Sequence, residues 1–308
     1  MSLTAFFQQL VNGLTLGGMY ALVALGYTMV YGIIQLINFA HGEIFMIGAF
    51  LGLTILRLFG GAGIDDSAFT LGVAFVGSMA ITGFAGIAVE RIAYRPLRNC
   101  PRITLLLSAV GMSIFLQNLI MLLYSRDMQP FPRSISGGFD LGGVIIDNIQ
   151  ILIVLSSLAL MLGLDLMVQR TRLGQAMRAI AQDMEAALMM GIDTNQVIRF
   201  TFLIGSAFAA AGGIMNGLYY GGIKFDMGFI VGIKAFAAAV LGGIGNLRGA
   251  MLGGFILGLS ETLLVAVLSA VGIPEAFDYK DVIAFAILIA VLIFKPSGLL
   301  GAESAEKV

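Results

Sequence analysis

"LVNGLTLGGMYALVALGYTMVY", residues 10–31, runs without a single charged side chain. A helix needs about 20 mainly apolar residues to cross the hydrocarbon core of a bilayer, and this stretch meets that requirement. The first basic residue of the chain is Arg57, so the run lacks the positive n-region of a secretory signal and reads as a mature span. Similar runs recur at 68–89, 103–124, 149–169, 200–220, 251–271 and 282–294. Two further stretches, 44–59 and 229–244, are short and interrupted by glycine. Each could be a tilted span, a broken helix or a re-entrant piece. About eight spans are expected, give or take one.

Composition agrees with this pattern. Hydrophobic residues make up 59% of the chain and charged residues 11%, against about 25% charged in an average soluble domain; the mean hydropathy is +0.98. No polar block is long enough for a separate globular unit, so residues 1–308 read as a single transmembrane domain, an all-α polytopic helical bundle. The net charge of −1 gives no reason to invoke nucleic acid. The one cysteine, Cys100, can form neither an internal disulfide nor a zinc site.

Charge placement gives orientation, because Lys and Arg collect in short cytoplasmic loops. Arg91, Arg95, Arg98 and Arg102 fall in one connection, and Arg170, Arg172, Arg178 and Arg199 in or beside another. Both are expected in the cytoplasm. Between them lies "SRDMQPFPRSISGGFDLGGVIIDN" (125–148), which sets Arg126 and Arg133 against Asp127, Asp140 and Asp147 and belongs outside. The tail "GAESAEKV" then falls inside, provided that 229–271 crosses twice.

The chain carries 41 glycines and no tryptophan. In a bilayer, small residues spaced G-x-x-x-G let helix backbones approach closely; the spacing appears at Gly13/Gly17, Gly48/Gly52, Gly213/Gly217/Gly221 and Gly254/Gly258. These read as packing seams of a compact bundle, suited to a transporter, a channel or an intramembrane enzyme. Catalytic chemistry is hard to find. No G-x-S-x-G elbow accompanies the lone His41. His41 and Glu43 are two ligands where a metal site needs three or four, so no metal is expected. There is no P-loop, and "GGIGNLRG" (242–249) lacks the G-x-G-x-x-G spacing. Energy for active transport must come from another subunit or an ion gradient. Glu261 is the deepest acidic residue, equally readable as a packed side chain or as part of a pathway, while Asp165 lies near a span end.

"INFAHGE" (37–43) places Asn38, His41 and Glu43 in an apolar region. With enzyme and metal set aside, it reads as a break between two helices. Asn38 can cap or close a turn, Gly42 permits a positive φ, and His41 and Glu43 can satisfy exposed backbone groups. The break serves either to brace the bundle or to contribute to a gate. "GGIGNLRG", with Asn246 at its centre, is its candidate counterpart in an internal repeat.

Residues 170–199 form the most structured connection expected. Leu173, Met177, Ile180, Met184 and Leu188 recur at spacings of 4, 3, 4 and 4, the stripe of an amphipathic helix. Such a face can lie against the bundle's own end or insert into a groove on a soluble partner.

Within that connection, "EAALMMG" (185–191) resembles the E-A-A-x-x-x-G signature of ABC importer permeases. Together with "GYTMVYGIIQLINFAHGE" (26–43), "ERIAYRPLR" (90–98), "AVLGGIGNLRGAMLGG" (239–254) and "KPSGLLG" (295–301), the chain resembles permease subunits of the branched-chain amino acid ABC importers from about residue 8 to residue 301. The resemblance implies an ABC importer permease fold in the bacterial inner membrane. It implies a transport subunit rather than an enzyme, forming half of a path for hydrophobic amino acids by ATP-driven alternating access. Its partners would be a second permease, by family analogy a different chain, two cytoplasmic ATPases that bind ATP and magnesium, and a periplasmic substrate-binding protein. Glu185, Ala186, Ala187 and Gly191 would couple to the ATPase, with Gly191 ending the short helix. Related importers carry urea, short amides or other amino acids, and a stand-alone channel for a small neutral solute is the contrasting reading from the residues.

Overall fold

The computed structural model describes residues 2–61, 68–98, 100–132, 135 and 137–301. Arg133 and the tail 302–308 lie outside the described residues.

The bundle is helical almost throughout. In chain order come α1 (Leu3–Ile34), α2 (His41–Gly61) and α3 (Ala68–Val89), which runs on through a π turn at Glu90–Tyr94, then α4 (Arg102–Leu123) and α5 (Asn148–Arg170). Two short helices follow, α6 (Arg172–Gln182) and α7 (Met184–Met189), and then α8 (Thr194–Tyr220), α9 (Met227–Gly242), α10 (Leu247–Ala270) and α11 (Lys280–Phe294). Among the described residues there are four short strands: β1 (Gln129–Pro130), β2 (Gly138–Leu141), β3 (Val144–Asp147) and β4 (Gly222–Ile223). β2 and β3 form an antiparallel hairpin, and β1 pairs with β4.

Among the described residues seven helices, α1 to α5 with α8 and α10, are long and apolar enough to cross a membrane. The stretch 44–59, left open by the sequence, lies in the continuous helix α2 of 21 residues. α9 has 16 residues and α11 has 15. At 1.5 Å per residue these reach only about 24 Å, short of the roughly 30 Å core. α9 is a broken span. From the end of α8 the chain turns back through the buried strand β4 before α9 begins, and the first turn of α9 then meets the first turn of α2, with Gly228 and Gly232 against Gly42. The seven long helices stand at the lower bound of the expected eight, give or take one, with α9 a shorter apolar helix beside them.

Side-chain bonds define the two ends. Gln8 at the start of α1 exchanges bonds of 2.9 and 2.8 Å with the backbone of Ile145 in the β2–β3 hairpin. At the other end Arg98 donates to Asn195 over 2.7 Å, so the two arginine-rich connections come together as their charge predicted. Burial draws the Arg98 guanidinium down from its usual value, opposed by the adjacent Glu90 carboxylate.

α1 is the central mast; 83% of its most apolar window is buried inside the protein. α10 lies antiparallel to it. A Cβ on Gly254 would fall 2.5 Å from the Cβ of Ala21, and one on Gly17 2.7 Å from the Phe255 backbone. On the second seam Gly48 faces Ala210 and Gly52 faces Ile214, joining α2 to α8. Three expected glycine pairs are therefore intramolecular contacts. The triplet in α8 divides its work: Gly213 meets Phe45, Gly217 meets the Phe131 ring, and Gly221 takes φ 71° as the C-cap.

Candidate functional site

The residues singled out in the sequence fall into three places. Glu185, Ala186, Ala187 and Gly191 lie at the arginine-rich end. The expected single amphipathic helix is two helices there, because Asp183 adopts an extended backbone (φ −155°, ψ 110°) and its carboxylate accepts from the Glu185 and Ala186 amides at 2.9 and 3.0 Å. This is an N-cap that starts α7. Gly191 ends it at φ +82°. The Ile192 amide reaches the Ala187 carbonyl and the Gly191 amide that of Leu188, at 3.1 and 3.0 Å, the paired bonds of a Schellman motif. The stripe divides with the helix. Met177, Ile180 and Ala187 are buried against the bundle, whereas Leu188, Met189 and Met190 are exposed, the two methionines at 83%. α7 thus presents a small apolar knob beside Glu185 on a rigid, doubly capped turn.

The break at 35–40 lies at the inner side of the bundle. Gln35 closes α1 in the left-handed region at φ 55°, and the His41 amide donates to the Asn38 carbonyl at 3.0 Å to start α2. Asn38, His41 and Glu43 are each 1% exposed. Their side chains make specific contacts rather than capping the helix. Tyr94 donates its hydroxyl to Asn38 Oδ1 at 2.7 Å, Ser113 donates to Glu43 Oε1 at 3.2 Å, and the His41 ring stands edge-on to Tyr27 with centroids 4.8 Å apart. Asn38 Nδ2, His41 Nε2 and Glu43 Oε2 have no hydrogen-bond partner among the described residues. Gly26 is required beside them, since a Cβ there would overlap the His41 imidazole.

Asn246 is elsewhere, at the arginine-rich end. Its Oδ1 caps α10 through the Gly249 amide at 3.1 Å and its Nδ2 donates to the Leu300 carbonyl at 2.7 Å. Asn246 thus caps its helix with its side chain, whereas Asn38 does not cap α2.

Glu261 stands in the half of the bundle nearer the hairpin and has company that sequence reasoning missed. Lys234 of α9 donates to Glu261 Oε1 at 3.1 Å and lies 2.7 Å from Asp281 of α11. Tyr20 donates to Glu261 Oε2 at 3.1 Å, and its ring lies 5.8 Å from the Lys234 ammonium. The signal was present as a lone lysine inside "GFIVGIKAFAAAV" (228–240). Above this network, towards the hairpin end, a cavity of about 720 Å³ opens between α1, α8, α10 and the start of α11. Asp165, the other acidic residue noted, pairs with Arg248 at 3.1 Å.

A polytopic bundle with a broken α9, a buried ion network under an open cavity, and a rigid knob at its arginine-rich end belongs to the class of membrane permeases. The chain matches the family described as branched-chain amino acid transport system, permease component, over residues 9–292. It is 47% identical over 308 residues to the high-affinity branched-chain amino acid transport system permease protein BraD of Pseudomonas aeruginosa, covering 98% of each chain. It is 46% identical to LivH of Escherichia coli K12, again over 98% of each. The solved structure of PsaBC from Streptococcus pneumoniae in complex with Fab is similar in fold, with a TM-score of 0.50 at 12% identity, covering 93% of this chain and 91% of that one. The chain belongs to the branched-chain amino acid transport permease family, a multi-pass membrane protein whose relatives are transport subunits and not enzymes.

Proposed function

We propose that this chain is one permease subunit of an ATP-driven importer for branched-chain amino acids in the bacterial inner membrane. It forms half of the translocation path beside a second permease, which is a different chain. Two ATPases dock at the arginine-rich, cytoplasmic end, and a periplasmic binding protein delivers substrate at the hairpin end. ATP and magnesium bind to those ATPases. The observation that supports this reading best is α7, a two-turn helix capped at both ends that projects Leu188, Met189 and Met190 beside Glu185. An exposed apolar knob on an otherwise solvated end is suited to a groove on a partner. Its link to α8 through 192–193 gives a stiff path by which closure of an ATPase pair would rock the bundle into alternating access.

The experiment is purification of the tagged chain from native membranes in mild detergent, with mass spectrometry of the co-purifying proteins. Two ATPases and a second, different permease are expected. Recovery of the chain alone, conducting solute in liposomes without ATP, would replace the importer with a channel.

A further inference from the structure

The cavity at the hairpin end is bounded by α1 (Gln9, Asn12), the end of α8 (Tyr219, Tyr220), α10 (Thr262, Ala266) and the start of α11 (Lys280). A large concave site with a few convergent polar groups is where a small ligand binds. Its cation is differently placed from the one below. Lys234 is held by two carboxylates, whereas Lys280 makes no ion pair among the described residues and rests its ammonium 3.4 Å from the Phe277 ring centroid. Glu261 and Asp281 act on it only from a distance. The group as a whole, Lys234 and Lys280 against Glu261 and Asp281, sums to zero but is strongly dipolar. Among the described residues Lys280 is the one charged side chain in the cavity's lining, and the paired group beneath it, one lysine against two carboxylates, carries the opposite net charge, so the two signs together favour a ligand that is itself neutral and dipolar.

We propose that this cavity is a reception site for the zwitterionic head of an α-amino acid, formed within this one subunit. Lys280 takes the ligand carboxylate. The side-chain oxygens of Asn12 and Thr262 and the faces of Tyr219 and Tyr220 surround the ammonium, to which aromatic faces are attractive. Leu16, Val265 and Ala266 provide the apolar wall for the ligand's side chain. This inference rests on the importer reading above and deepens it by assigning residues to the substrate's arrival side.

The test uses the purified permease–ATPase complex without ATP and without binding protein, with labelled leucine as probe. Saturable binding is expected, displaced by unlabelled leucine and not by isopentylamine or isocaproate, each of which lacks one of the two charges. Lys280→Gln removes a charge-assisted bond, which corresponds to about tenfold weaker binding or more; Lys280→Arg retains binding, and Ala266→Phe fills the cavity and abolishes it. No saturable binding to the unaltered complex, or equal binding by Lys280→Gln and Ala266→Phe complexes that assemble normally, overturns the proposal. ATP-dependent leucine uptake by the unaltered complex with its binding protein is read in parallel. If that uptake is absent the importer reading fails, and if it is present while the binding results are negative only the reception site fails.

Discussion

Lys234→Met tests the buried ion network by leaving Glu261 without its cation. The lysine side chain is 6% exposed and that of Glu261 1%, whereas that of Asp281 is 45% exposed. Asp281 can turn to solvent, so its share of the loss is small. Glu261 cannot, and removing one member of a buried pair typically costs about 3–5 kcal/mol because the remaining charge is uncompensated. For a chain of this size that corresponds to a fall in midpoint on the order of 5–10 °C. The assay is heating of the detergent-solubilised fluorescent fusion, followed by size-exclusion chromatography of what remains monodisperse. Lys234→Met with Glu261→Gln should recover most of the loss, since the amide is neutral and still accepts from the Tyr20 hydroxyl. A single variant as stable as the parent, or a double variant no better than the single, would refute the assignment of Glu261 as a charge held in place by Lys234.

Three further outcomes follow from the geometry. Gly191→Leu forces a side chain into a left-handed position, at about 1–2 kcal/mol, which is enough to unwind α7; with Glu185→Lys it should abolish uptake while membrane levels measured by immunoblot stay normal, and normal uptake would remove the coupling role. Tyr94→Phe strips the donor from buried Asn38 Oδ1, a cost of about 1–3 kcal/mol, read as a lower midpoint in the same chromatographic assay. Gly26→Ala places a methyl group where the His41 imidazole lies and should collapse expression, and His41→Ala in the same chain should restore part of it, the Gly205 carbonyl still lying 3.0 Å from the added methyl.

Much of the fold was legible because membrane helices advertise themselves by length and polarity, as in residues 10–31. The positions that were not legible depend on contacts between distant segments. Nothing local to 229–244 says that its helix begins beside Gly42, since the two glycine-lined turns are far apart in sequence. The stripe from Leu173 to Leu188 keeps helical period through Asp183, so the break is visible only once the Asp183 carboxylate is seen to cap the next turn. Of the site, Glu261 stood out as a lone acid in an apolar run, and Lys234 could have been read by the same rule. Their pairing could not, because α9 and α10 approach in a register that neither sequence states. Asn38 and Glu43 were recognisable as out of place, while their partners Tyr94 and Ser113 lie in helices that carry no mark of that role.

The central position of α1 has a consequence for biogenesis. Its Tyr20 bonds to Glu261, 241 positions later in the chain, and its glycine-lined face is shaped to receive α10. α1 therefore waits in lipid for a partner made more than two hundred residues later. Until then its groove is open to any small-residue helix nearby, and long-range pairings of this kind are the slow, error-prone steps of assembly. Insertion order and folding order run opposite to each other for this pair, and the mast is secured only once α10 has been made.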